Sequence, residues 1–80
     1  MNKTEIIENI NKLLIEDFEI DSNIISPNAK IVEELGIDSL DFVDIVVFIE
    51  EVFNIKLGAD DFKNVVTLQD FYDLIEKKSK

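Results

Sequence analysis

The chain has 80 residues, 18 acidic side chains and 8 cations, a formal net charge of −10. All the cations are lysine, and there is no arginine, histidine, cysteine or tryptophan. Zinc sites, disulfides, thiol nucleophiles and histidine-based acid–base pairs are excluded. The charge repels a phosphate backbone, which argues against nucleic acid and for a basic protein surface as partner. Length limits the chain to one small domain over residues 1–80, and a 46% hydrophobic content argues against disorder.

From about Thr4 to Asp17, Ile6, Ile7, Ile10, Leu13 and Leu14 fall at helical spacing on one face. Polar residues fill the other, and no signal-peptide core is present. A long connection follows to about Ile37. It carries Phe18, Ile20, Ile24, Ile25, Ile31, Val32, Leu35 and Ile37, enough apolar residues to pin it to a core. Ser26-Pro27-Asn28 reads as a turn, and Gly36 as the stop of a short helical turn over Ile31, Val32 and Leu35.

Asp38 is predicted to cap a second helix running to about Phe53, with Asp41 three residues on. Phe42, Ile45, Ile49, Val52 and Phe53 mark its core face. Asn54 to Ala59 forms a connection, and a short third helix is expected over Asp60 to Asn64. Thr67, with Asp70 as box partner, opens the last helix, whose inner face is Leu68, Phe71, Tyr72 and Ile75. The prediction is an all-α four-helix bundle. It has three long helices, one short helix and a long, partly ordered loop between the first two. The longest apolar run, Ile45 to Ile49, is too short to span a bilayer, so a cytoplasmic location is expected. The acidic surface and the lack of a long exposed apolar stripe lead to the expectation of a monomer.

Ser39 opens the second helix. It has no G-x-S-x-G elbow and no histidine base, so it does not read as a catalytic serine. Serine is common at a helix start, and on statistics alone that plain reading wins. If Ser39 carries chemistry, another protein must perform it, and a helix N-terminus suits an attached anion. Along the same helix, Leu40, Val43 and Val47 form an apolar ridge beside Asp38, Asp41, Asp44, Glu50 and Glu51. An apolar ridge edged by one sign of charge suits docking to a basic partner, although an acidic solvated face is the competing reading. The acidic stretch from Asp17 fails the calcium-loop pattern, with Ser22 and Asn28 where Gly and Glu are required. No metal site is predicted.

The segment Gly36-Ile37-Asp38-Ser39-Leu40-Asp41-Phe42-Val43-Asp44-Ile45 resembles the attachment segment of acyl carrier proteins. The likeness continues through Glu50-Glu51-Val52-Phe53, upstream over Val32-Glu33-Glu34-Leu35 and downstream at Thr67-Leu68-Gln69-Asp70. The resemblance implies a carrier rather than an enzyme. Ser39 would be modified with 4′-phosphopantetheine by a phosphopantetheinyl transferase. The arm's thiol would carry acyl chains between enzymes of fatty-acid or polyketide-like synthesis. The acidic residues named above, with Leu40, Val43 and Val47, would dock basic patches on those enzymes. Ile45, Ile49, Phe53, Phe62 and Phe71 would surround the acyl chain. Asp44 replaces the family's usual Glu, and Gly58 a frequent Pro. Phe42 and Phe48 stand where smaller residues are frequent, so the interior or the docking face should be reshaped, as in a dedicated secondary pathway. An aminoacyl or peptidyl carrier, or a cofactor-free acidic adaptor, are the alternative readings.

Overall fold

A computed structural model describes residues 2–79. Three α-helices follow in order: α1 Lys3–Glu16, α2 Ser39–Phe53 and α3 Leu68–Lys78. Each starts at a side-chain cap. The Asn2 side chain accepts from the Glu5 amide, and Asp38 Oδ1 accepts from the Asp41 amide at 2.9 Å. Thr67 and Asp70 form the expected reciprocal box. α2 stops at Asn54, whose left-handed backbone returns its amide to the Glu50 carbonyl.

The expected short third helix is instead a 3-10 turn over Ala59–Phe62. Too few residues are available there to repay helix nucleation. Its entrance is fixed by Asp61, which accepts the Gly58 amide at 2.8 Å, and Asp61 also pairs with Lys78 of α3 at 3.2 Å. Hydrogen bonding from Gly58, then Lys78, holds the Asp61 carboxyl below the usual carboxylate range. A second 3-10 turn, Ser22–Ile24, lies in the first connection.

Apolar faces of the three helices meet in one core built on Ile6, Ile10 and Leu14, on Ile45 and Ile49, and on Phe71, Tyr72 and Ile75. α1 is tied to α3 by Lys3 pairing with Asp73 and by the Tyr72 hydroxyl donating to the Asn11 side-chain oxygen. Burial pushes the Tyr72 phenol above its ordinary pKa. The connection before α2 packs as foreseen through Ile31, Leu35 and Ile37, all buried. Val32 and Ile24 do not join it and are exposed. Val52, expected on the core face of α2, is exposed too. It lies on the flank of the helix, 42% exposed.

One feature has no local sequence signal. The chain around Lys30 runs antiparallel to the chain around Thr67 as an isolated bridge. The Ile31 amide donates to the Val66 carbonyl at 2.9 Å, and the Leu68 amide to the Ala29 carbonyl at 3.0 Å. The Gln69 amide reaches the Pro27 carbonyl at 2.9 Å. This stitch sets the approach to α2 against the start of α3.

Candidate functional site

Ser39 is the first residue of α2 and is exposed. Its own amide and that of Leu40 have no acceptor among the described residues, because the Asp38 side chain is spent on the Asp41 amide. These free amides and the positive end of the helix dipole favour an anion joined to the serine oxygen.

Ser39 borders an open groove of about 480 Å³. Ile31, Val32, Phe42, Phe62, Val65 and Val66 give it a mainly apolar wall. Asp38, Ser39 and the Lys30–Glu33 ion pair, at 3.4 Å, supply its polar members. The groove exists because the backbone bridge holds Ile31 and Val66 side by side across from α2. Of the residues expected to surround a carried chain, Phe62 lines it. Phe71 stands behind Phe42, and Ile45, Ile49 and Phe53 lie in the closed core.

The ridge on α2 is where the spacing places it. Leu40, Val43 and Val47 are 77%, 57% and 48% exposed, and Asp44 and Glu51 lie open beside them. Asp41 is half-buried. Glu50 differs from its neighbours: its Oε2 accepts the Leu57 amide at 2.8 Å, so the carboxylate ties down the chain after α2. The two aromatic departures separate. Phe42 turns inward to the groove, whereas Phe48 sits exposed on the flank of α2, one helical turn from Val52. Sequence reasoning missed Val32 and Val66, exposed apolar residues on the other side of Ser39. Val32 follows buried Ile31 directly, and that adjacency was the only sign that both could not face inward.

Among the described residues no cluster of ligating side chains could hold a metal ion, and no helix is long and apolar enough to cross a membrane. The site is thus an open hydroxyl at a helix start beside an apolar groove. Comparison with known proteins places that arrangement in a family. A family model described as the phosphopantetheine attachment site matches residues 8–75, and the chain belongs to that family. Similar relatives include an acyl carrier protein of Guillardia theta, 36% identical over 98% of this chain and 96% of the relative. An acyl carrier protein of Campylobacter lari is 32% identical over 94% and 97%. The crystal structure of an acyl carrier protein from Thermotoga maritima shares the fold, with a TM-score of 0.81 at 24% identity. It covers 98% of this chain and 91% of its own.

Proposed function

We propose that this chain is an acyl carrier protein, a shuttle and not an enzyme, whose 4′-phosphopantetheine is attached to Ser39. The observation that carries the assignment of Ser39 is its place: an exposed hydroxyl on the first residue of α2, at the groove, with two unpaired amides beside it. The fit to the cofactor is good on three counts. The phosphodiester would meet the Ser39 and Leu40 amides. The apolar wall suits a chain of methylenes. The cofactor's terminal thiol supplies the sulfur that a chain without cysteine lacks, and holds the acyl group as a thioester.

The rest of α2 then serves recognition. Leu40, Val43 and Val47 give an apolar contact, with Asp38, Asp41, Asp44 and Glu51 supplying charge for basic patches on the transferase and the acyl-processing enzymes. Glu50 contributes mainly through the bond to Leu57. Charge-led docking gives fast, salt-sensitive association, which suits a shuttle that must leave. We read the chain as a single carrier domain acting as a cytoplasmic monomer.

The test is intact mass after incubation with coenzyme A and a broad-specificity phosphopantetheinyl transferase. Wild type should gain one phosphopantetheine and Ser39→Ala none. A folded wild-type chain that gains nothing from an active transferase would overturn the assignment and leave the cofactor-free adaptor in front.

A further inference from the structure

The groove beside Ser39 ends on an aromatic floor. Phe42, one helical turn beyond Ser39, meets Phe62 edge-to-face, with ring centroids 5.2 Å apart and planes at 87°. It also packs against Phe71 at 5.5 Å and 54°. These rings come from three separate elements: α2, the Ala59–Phe62 turn and α3. Edge-to-face contact adds to plain area burial and holds a ring in place. Behind Phe42 the space between α2 and α3 is closed, with Ile45, Ile49, Phe71 and Ile75 all at most 2% exposed. Phe42 and Phe62 line the groove, whereas Ile45, Ile49 and Phe71 do not.

We infer that Phe42, propped by Phe62, sets how much of a carried apolar chain this protein shelters. It confines the chain to the outer groove and bars it from the α2–α3 interior. The inference rests on the carrier reading above and deepens it. The occupant is the apolar tail of the cargo. Ser39 is itself a groove residue, so whatever is tethered there is held beside the opening at high effective concentration. Val32 and Val66, 66% and 53% exposed, are the apolar surface such a tail would cover. The limit comes from volume. The Phe42 ring stands between the groove and Phe71, and the core behind it is close-packed. A short tail is therefore covered whole, and a long one leaves its end in water.

Removing the ring opens the way inward, because the space it vacates joins the groove to the face of Phe71. The experiment loads wild type and Phe42→Ala with butyryl, octanoyl and dodecanoyl arms from the matching acyl-coenzyme A, checks loading by intact mass, and compares melting temperatures. A tail bound only by the folded state raises the melting temperature in step with how much of it is sheltered. In wild type the dodecanoyl form should melt within about 2 °C of the octanoyl form. In Phe42→Ala it should melt higher by roughly 4 °C or more. Phe42→Val serves the same comparison if the alanine variant does not fold. Hydrogen exchange adds a second readout: the dodecanoyl tail should slow exchange at the Ile49 and Ile75 amides only in the variant. A wild type that keeps gaining through dodecanoyl, or a variant with the same plateau, overturns the role of Phe42 and leaves the carrier reading intact. Failure to load at Ser39 overturns both.

Discussion

Glu50 separates structure from docking within one acidic helix, and its substitution has a calculable cost. The residue accepts three amides at the end of α2. Its carbonyl takes those of Asn54 and, at 3.2 Å, Ile55. Its carboxylate takes that of Leu57 at 2.8 Å. Glu50→Ala leaves the first two intact and strands the third on a half-buried residue. An unpaired buried amide costs about 1–3 kcal/mol, and partial access to water puts Leu57 in the lower half of that range. Removing a negative charge from the C-terminal turn of a helix returns a few tenths of a kcal/mol, roughly 0.3 or more. The net loss is about 1 kcal/mol, a fall of roughly 4–8 °C in melting temperature for a domain this small. Glu50→Gln keeps an acceptor and sheds the charge, so it should melt close to wild type. Glu51→Ala, with its side chain in solvent, should be neutral. Thermal melts of the three variants by far-UV circular dichroism decide the matter. A Glu50→Ala protein that melts like Glu51→Ala would show that the bond to Leu57 contributes nothing and would return Glu50 to the docking face.

Two further outcomes follow from the turns that frame the groove. The Asp70 carboxylate accepts the Thr67 and Val66 amides, and these bonds, Thr67 first, hold its carboxyl below the usual carboxylate range. The lowered value means that the unfolded chain takes up the proton first. The stabilisation is therefore complete above the unfolded carboxylate pKa of about 3.9 and is lost as pH falls through the folded value. Asp70→Asn should melt below wild type at neutral pH, and the gap should close under acid; a gap that stays constant from neutral pH to roughly pH 3 would refute the assignment. Gly36 sits at φ +70° with open space where a Cβ would go, so Gly36→Ala carries only backbone strain. It should cost about 1–2 kcal/mol in denaturant melts, and an unchanged urea midpoint would refute that.

Local chemistry made most of the helical frame legible. The caps at Asp38 and Thr67 bond to residues three positions away, so their side chains announce the helix starts without help from the rest of the fold. The 3.6-residue period placed Ile45 and Ile49 inside and Leu40, Val43 and Val47 outside, because facing is a property of one helix. Ser39 was legible as the opening of the helix that Asp38 caps. The stretch from Asp60 to Asn64 reads as a short helix, but the structure has a 3-10 turn over Ala59–Phe62, because propensity and charge pattern do not report how little chain is left before the bridge.

What tertiary structure alone decided is everything that depends on which element covers which face. Phe42 and Phe48 lie on one helix and look alike in the sequence, but Phe62 and Phe71 pack against the first, whereas the second stays 38% exposed. Glu50 and Glu51 are adjacent and chemically the same, but the path of the chain after Asn54 brings the Leu57 amide to only one of them. The groove at Ser39 is not a property of α2. It is framed by the pairing of Lys30 with Thr67, two residues far apart in the chain that only the tertiary fold brings together. The sequence by itself determined that Ser39 opens α2 and which ridge faces outward, because both are local to that helix. The room beside Ser39 was decided by long-range packing, because volume belongs to the space between elements.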